Sequence, residues 1–240
     1  MTKIIKTGAF GIGLIVLFLI LQYDFSEDDS WESWNLPLTG KIILLDPGHG
    51  GPDGGAGDED ALEKGIALDI SLKVRDYLQQ QGALVIMTRV DDRDLAPEGT
   101  RGYSRRKAED LKKRLELINT SGAEFYVSIH LNSIPSSRWS GAQTFYSPKI
   151  PENAKAAKFI QDELRRNLEN TNRNSKEINS VYILKNAKKP GVLVEVGFLS
   201  NPAERANLKN EKYQDKVAAS IYNGIMRHYS NEKELTEVWE

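Results

Sequence analysis

"LLDPGHGGPDGGA", residues 44–56, joins the end of an apolar run to a loop rich in glycine. The run begins at Lys41 with "KIILL" and predicts a short strand, and the glycines predict a tight loop directly after it. Such a loop can cradle a phosphate, hold a metal or simply turn the chain. A phosphate loop is disfavoured because the stretch lacks a Gly-Lys-Ser/Thr ending, does not match G-x-G-x-x-G, and has Pro52 and Asp53 where amide donors would be needed.

Outward from this stretch, strand and helix patterns alternate along the chain. Short runs rich in β-branched and aromatic residues predict strands at 41–45, 83–88, 124–129, 142–146, 181–184 and 192–198. Apolar residues at helical spacing predict helices that contain Ile66, Ile70, Val74 and Leu78; Leu111, Leu115 and Ile118; Phe159, Ile160 and Leu164; and a last helix at 211–229. This alternation predicts a single α/β domain, with a mostly parallel twisted sheet of about six strands and helices on both faces.

Composition excludes several classes of function. A chain of 240 residues with a net charge of −2 and a pI near 6.0 has no basic surface of the kind that binds nucleic acid. The absence of cysteine excludes disulfides, a thiol nucleophile and a cysteine-ligated zinc site. Histidines and carboxylates would therefore have to hold any metal.

The N-terminus predicts export. Lys3 and Lys6 precede the apolar stretch 8–21, and acidic residues follow it, which is the charge asymmetry of a segment inserted with its N-terminus in the cytoplasm. We expect an apolar helix in residues 1–23 as a signal peptide or, more in keeping with the missing cleavage site, a membrane anchor. Residues 24–40 are then a linker, 41–230 the extracytoplasmic catalytic domain and 231–240 a tail. A buried first helix of the domain is the disfavoured alternative.

Two of the three histidines follow predicted strands. His49 comes after the first strand and His130 directly after "FYVSI", and in open α/β sheets the reactive groups gather at the carboxyl ends of strands. A loop histidine bonded to backbone is the plain alternative for His49 alone. His228, at the end of the last predicted helix, is interpreted as a helix-terminal or surface residue.

Glu195 is anomalous because its neighbours in "VLVEVGF" are apolar. A buried carboxylate costs several kcal/mol unless it is paired or bound to something cationic. It is either half of a buried ion pair with a lysine or arginine, or a general base whose pKa is tuned by burial. Two histidines and a carboxylate, with a further glutamate to activate water, form a hydrolytic zinc set. The residues alone leave the third ligand open among Asp53, Asp58, Glu59, Asp60 and Glu63.

Five ordered motifs carry a resemblance that goes further: "ILLDPGHGGPDGGA", "LEKGIALDI", "TR" followed by two aspartates, "SIHLNS" and "VLVEVGFLSNPAE". Together they resemble the zinc-dependent N-acetylmuramoyl-L-alanine amidases of the amidase-3 type, over about residues 41–229. The chain length, the short N-terminal apolar segment, "SWNLPLTGKI" and "DLAPEGTRGYSRRKAEDL" are most similar to the germination-specific members from spore-forming bacteria.

The resemblance implies a site and a substrate. His49, Glu63 and His130 match the family's ligands for one Zn²⁺ per chain, and Glu195 matches its catalytic glutamate. The implied substrate is peptidoglycan, cut between muramic acid and L-alanine so that muramic δ-lactam can form in the spore cortex. A spore lipoprotein activator and a deacetylase acting on the product are the implied partners. An exported zinc peptidase and a non-catalytic cell-wall binding module are the alternatives.

Four further residues and one segment are weaker candidates. Asp46 and Asn132 could orient a ligand imidazole or simply serve a turn or cap. Arg89 and Arg114 could bind substrate carboxylates, but pairing with nearby acids is favoured. The charged stretch 90–106 is interpreted either as a functional surface loop or as a disordered insertion.

Overall fold

The computed structural model describes residues 8, 11–19 and 36–230, and the chain divides into two units, Met1–Leu36 and Pro37–Glu240. In the first unit, residues 11–19 are helical. None of the helices among the described residues combines the length and apolar character needed to cross a membrane. Most of the predicted export segment and linker, and all of the predicted tail, lie outside the described residues, so those assignments stay predictions.

A six-stranded sheet forms the centre of the second unit. Its strands are β1 (Ile42–Pro47), β4 (Leu84–Met87), β5 (Phe125–Asn132), β6 (Gln143–Tyr146), β7 (Lys176–Glu177) and β8 (Gly191–Phe198). They lie in the order β4-β1-β5-β8-β6-β7, and only the β6–β8 pair among them is antiparallel. A separate two-stranded ribbon joins β2 (Gly57–Asp58) to β3 (Ala61–Leu62).

Helices cover both faces of this sheet. They are α1 (Glu63–Gln80), α2 (Tyr103–Thr120), α3 (Glu152–Leu168), α4 (Tyr182–Asn186), α5 (Pro202–Leu208) and α6 (Glu211–Tyr229). One face buries Val127 and Val194 with apolar residues of α1, α3 and α6, and the other buries Tyr126 and Leu193 with residues of α2 and α4. The alternation of inward and outward side chains along each strand produces these two cores. The predicted α/β fold is confirmed.

One predicted strand is wrong. Residues 181–184 contribute to the short helix α4, and the sixth strand is the charged pair Lys176–Glu177. Four apolar residues fit a strand or a single helical turn equally well, and here one turn buries both Ile183 and Leu184 against the sheet. The edge strand escaped prediction because two exposed charged residues carry no strand pattern.

The carboxyl end of the sheet brings three candidate residues to one place. His49 follows β1, and His130 and Glu195 occupy paired positions on the adjacent strands β5 and β8. Glu63, the first residue of α1, follows the β2–β3 ribbon. His228 lies elsewhere, in the last turn of α6, with its ring centroid 5.1 Å from that of Phe125.

Candidate metal centre

The glycine-rich loop gives the first histidine its position. His49 adopts a left-handed backbone conformation, with φ at 60°. A Cβ atom at Gly48 would lie 2.5 Å from His130 Cε1, and one at Gly55 would lie 2.5 Å from Glu63 Oε2. Both glycines are therefore required for the backbone to pass this close to the clustered side chains. The loop brings His49 to His130 rather than simply turning the chain.

Three ligand-type side chains converge at this loop. His49 Nε2 lies 3.1 Å from Glu63 Oε2, and His130 Nδ1 lies 3.0 Å from Glu63 Oε1. One ligand atom from each of the three residues lies within 4.8 Å of the others. Two imidazoles and one carboxylate around a common point form the donor set that divalent zinc takes in hydrolases. The residues present therefore fit the metal that the family resemblance implies.

Asp53 contacts the outer nitrogen of His49. Its Oδ2 lies 2.9 Å from His49 Nδ1, on the opposite side of the ring from the nitrogen that faces Glu63. Two groups of α2 hold Asp53 in turn: Tyr103 donates its hydroxyl to Oδ1 at 2.8 Å, and Lys107 Nζ lies 3.0 Å from Oδ2. A carboxylate in this place fixes the tautomer and the orientation of a ligand imidazole. Of the five acids that the sequence left as candidates for the third metal ligand, Glu63 contacts both histidines, and Asp53 contacts the nitrogen of His49 that points away from Glu63.

The charges of this cluster depend on one another. Burial disfavours the charged form of His49, but hydrogen bonds with Asp53 and Glu63 outweigh it and raise the pKa of His49 to about 9. Burial opposes the charge of Glu63 as well, yet the two imidazoles hold the pKa of that carboxyl well below its ordinary value. Without a metal, His49 thus carries a proton that pairs its ring with the two carboxylates. A metal has to displace that proton in order to bind.

Glu195 stands beside the cluster without a partner for one of its oxygens. Its Oε2 is buried and accepts no hydrogen bond from the residues that the structure describes. Burial, assisted by the negative charge of Glu63, raises the pKa of Glu195 to about 7, although the two imidazoles counteract part of that rise. The alternative of a buried ion pair with lysine or arginine would supply a donor to this oxygen. A buried acceptor oxygen without a donor, next to a group of metal-ligating side chains, is instead typical of a functional residue whose partner is a substrate, a water molecule or an ion.

The buried guanidinium of Arg114 pairs with acids, as favoured from the sequence. Arg114 Nη1 lies 2.8 Å from Asp46 Oδ1, and Arg114 Nε lies 2.8 Å from Asp110 Oδ2. The same guanidinium donates to the carbonyl oxygens of Pro47 and His49. Arg114 therefore stabilises the backbone of the glycine-rich loop that carries His49.

Arg89 differs from the favoured expectation because its hydrogen bonds go to carbonyl oxygens rather than to acids. The acceptors are the carbonyls of Pro47, Gly48, Lys64 and Asp91. Since both the histidine loop and the start of α1 offer carbonyls here, a buried guanidinium with five donors bridges the two segments. Arg89 thus links the loop that carries His49 to the helix that carries Glu63.

The hydrogen bonds of Asp46 and Asn132 go to groups other than the imidazoles of His49 and His130. Asp46 accepts hydrogen bonds from Thr88 and Ser128 at 2.8 and 2.7 Å, in addition to its ion pair with Arg114. These three donors place Asp46 in a buried polar network next to the loop that carries His49. The contact that the structure shows for Asn132 is its carbonyl oxygen, which accepts from the Leu199 amide at 2.8 Å. The carboxylate that does contact a histidine of the cluster from outside is Asp53, which pattern reasoning considered only as a possible third ligand.

The stretch 90–106 packs onto the site. Asp92 accepts from the Gly51 amide at 2.9 Å and from Lys64 Nζ at 2.7 Å, and Tyr103 begins α2 and contacts Asp53. The interpretation as a disordered insertion is therefore wrong, since this stretch is ordered against the glycine-rich loop. No periodicity or motif in the stretch predicts these contacts, because each depends on a residue far away in the sequence.

A family model described as N-acetylmuramoyl-L-alanine amidase matches residues 43–227. A germination-specific N-acetylmuramoyl-L-alanine amidase of Bacillus subtilis strain 168 is 61% identical over 237 residues, which cover 99% of this chain and 100% of that protein.

Solved structures show the same likeness. The CwlD amidase of Clostridioides difficile, solved in complex with the GerS lipoprotein, is 43% identical with a TM-score of 0.77, covering 79% of this chain and 98% of that one. The catalytic domain of CwlV, an N-acetylmuramoyl-L-alanine amidase of Bacillus (Paenibacillus) polymyxa var. colistinus, is 31% identical with a TM-score of 0.67, covering 80% and 99%.

Proposed function

The chain belongs to the N-acetylmuramoyl-L-alanine amidase family, and from this membership we propose that it hydrolyses the amide between muramic acid and L-alanine in peptidoglycan. The similarity to a germination-specific amidase over nearly the whole chain supports a role in the spore cortex. There the reaction removes stem peptides, so that muramic δ-lactam can form and later serve germination.

The observation that carries this proposal is the convergence of His49, Glu63 and His130 beside Glu195. The first three residues would hold one Zn²⁺, with Asp53 fixing the ring of His49 from behind. When bound, zinc supplies Lewis acidity, which polarises the amide carbonyl and makes water easier to deprotonate. Arg89 and Arg114 maintain the backbone path that brings His49 to the other two ligands.

Glu195 then moves the proton. In the metal-free protein burial raises its pKa to about 7, and beside the cluster its carboxylate can accept a proton from water and return it to the departing amine of L-alanine. The backbone pairing of Glu195 with His130 keeps the carboxylate beside the cluster. Because strand β8 is central in the sheet, this base is held by a rigid element rather than by a loop.

Location and partners follow from the proposed substrate. Peptidoglycan lies outside the cytoplasmic membrane, so the catalytic domain acts after export, and the apolar residues near the N-terminus serve as signal peptide or anchor. A lipoprotein partner is supported by the CwlD structure, which was solved with GerS. A deacetylase that acts on the freed muramic acid completes the proposed pathway.

The test is mass spectrometry of purified cortex-type glycan after incubation with the zinc-loaded protein. We expect release of intact stem peptides beginning with L-alanine, and loss of the release when a chelator is added. Free tetrapeptides without the sugar serve as the comparison substrate. Cleavage of those peptides alone would favour an exported zinc peptidase, and glycan binding without any release would favour a non-catalytic wall-binding module.

A further inference from the structure

His130 and Glu195 are paired polar residues on the adjacent strands β5 and β8, and a third polar residue continues this row on strand β6. Glu195 is paired with His130 of β5 on one side and with Gln143 of β6 on the other. Residues paired in this way share one face of the sheet, and adjacent strands lie about 4.8 Å apart. Gln143 therefore stands next to Glu195 on the side away from His130, and it marks the direction in which the site extends beyond the metal ligands.

Arg173 lies at the end of this row. Its Nη1 donates to Gln143 Oε1 at 3.4 Å and its Nε donates to the Ser140 carbonyl at 3.2 Å. Its Cζ lies 5.4 Å from the ring centroids of both Trp139 and Phe198. The two rings and two hydrogen bonds restrain the planar guanidinium, yet they use only part of its five N–H donors. The remaining donors are left for another acceptor.

The guanidinium of Arg173 forms no direct ion pair with a carboxylate of the described residues. Among residues 36–230, its hydrogen bonds go to neutral oxygens, and no carboxylate forms an ion pair with it. The carboxylate of Glu204 lies near enough for its charge to interact with that of Arg173, but its hydrogen bonds come from the amides of Gly141 and Phe198 and from the side chain of Asn170. Arg173 is partly exposed and Trp139, whose ring lies against the guanidinium, is 50% exposed, so this cation is accessible from solvent. An orientated cation whose N–H groups donate to no carboxylate, beside a catalytic glutamate, is suited to binding an anionic part of the substrate.

We infer that Arg173 binds a carboxylate of the stem peptide and selects substrates that carry it. The inference rests on the proposed function. In peptidoglycan the residue after L-alanine is D-glutamate linked through its side chain, which leaves a main-chain carboxylate one residue beyond the scissile amide. The guanidinium fork matches such a carboxylate in a bidentate manner. Trp139 acts as a positioning residue, because its ring restrains the fork.

The test compares two substrates that differ in one group. Disaccharide–L-Ala–D-Glu and the same muropeptide with that carboxylate amidated are incubated with the zinc-loaded protein, and the released dipeptide is quantified by mass spectrometry. We expect a kcat/KM about tenfold or more higher for the acid than for the amide. Arg173→Gln should lower kcat/KM on the acid to the level of the amide, and Arg173→Lys should keep part of the preference. Arg138→Gln, on an exposed arginine next to Trp139 in the loop between β5 and β6, is the matched control and should keep the preference unchanged.

The outcomes separate this inference from the function on which it rests. Equal kcat/KM for both substrates with the unaltered protein, or a parallel loss on both in Arg173→Gln, would overturn the inference while leaving the amidase function intact. A parallel loss is what a purely structural role of Arg173 in the loop predicts. Release of dipeptide from neither substrate by the unaltered protein would refute the proposed function and this inference with it.

Discussion

At the scale of single residues, His49 depends on the carboxylates on both sides of its ring. Asp53 contacts Nδ1 and Glu63 faces Nε2, and Asp53 is itself held by Tyr103 and Lys107. The ring therefore presents one nitrogen to the cluster in a defined orientation before any metal arrives. Preorganisation of this kind increases metal affinity because little ordering remains to be done on binding.

Replacing Asp53 by Asn should weaken zinc binding by about 10- to 100-fold, because the amide keeps the shape but loses the charge that orients His49. Affinity would be measured by competition with a chromophoric chelator. Asp76→Asn, on an exposed carboxylate that pairs with Arg75, is the matched control and should leave affinity unchanged. Equal affinities in the two variants would show that Asp53 does not support the ligand.

The proton on His49 predicts a pH dependence of metal affinity. Its pKa is raised from 6.5 to about 9 in the metal-free protein, so the imidazolium is present below that value and is lost as the pH rises through it. Zinc requires the neutral ring, and its affinity should therefore rise about tenfold per pH unit up to that pKa and then level off. Calorimetry in buffers of different ionisation enthalpy should show about one proton released at pH 7.5. Release of no proton would contradict the charge state assigned to His49.

Glu195→Gln should separate metal binding from catalysis. The amide cannot accept the proton, so we expect turnover on muropeptides to fall by about 10²- to 10⁴-fold. Zinc content should stay at the level of the unaltered protein, since the proposed ligands His49, Glu63 and His130 are kept. Unchanged turnover would remove Glu195 from the role of base, and loss of zinc would make it a ligand instead.

At the scale of secondary-structure elements, two buried arginines hold the loop after β1. Arg114, from α2, bridges Asp46 and Asp110 and reaches the carbonyl of His49, whereas Arg89 bridges the loop to the start of α1. The loop needs this support because glycines give it little rigidity of its own. The site geometry thus depends on charges that never touch the metal.

Arg114→Met should destabilise the protein by about 3–5 kcal/mol, because it leaves Asp46 and Asp110 as buried charges without their partner. Urea unfolding of the metal-free protein would give this difference in the free energy of unfolding. Lys113→Met, on the preceding residue of the same helix, removes an exposed pair with Glu116 and should cost about 1 kcal/mol or less. Similar costs for both variants would mean that the buried network contributes no more than a surface pair.

The same elements show what could be predicted from the sequence. Strand patterns placed His49 and His130 at one end of the sheet, and the apolar neighbours of Glu195 marked it as an unusual buried acid, since both are local properties that the chain displays directly. The choice of Glu63 came from the family resemblance, because five acids lie close together after the loop and spacing alone does not rank them. The contacts by which Tyr103 and Lys107 hold Asp53, and α4 in place of a strand, depend on residues far apart in the sequence, which no local pattern encodes.

At the scale of the whole molecule, the cluster joins three distant segments of the chain. His49 follows β1, Glu63 starts α1 and His130 ends β5, so one ion would cross-link a loop, a helix and a strand of the main core. Both helix layers and the central strands meet at this point. Metal binding should therefore be coupled to global unfolding rather than to the local order of one loop.

Zinc at 100 times its dissociation constant should stabilise the folded protein by about 2.7 kcal/mol, because the unfolded chain does not hold the three ligands together. For a domain of this size, that corresponds to a rise in Tm of roughly 5–10 °C, measured by calorimetry with zinc against chelator. Glu63→Gln should abolish the rise, since it removes the carboxylate that faces both histidines. Glu195→Gln should retain the rise, because that residue is proposed to act on the proton and not on the metal. A rise that persists in Glu63→Gln would place the stabilising ion at another site, and the absence of any rise in the unaltered protein would show that the cluster does not couple zinc to folding.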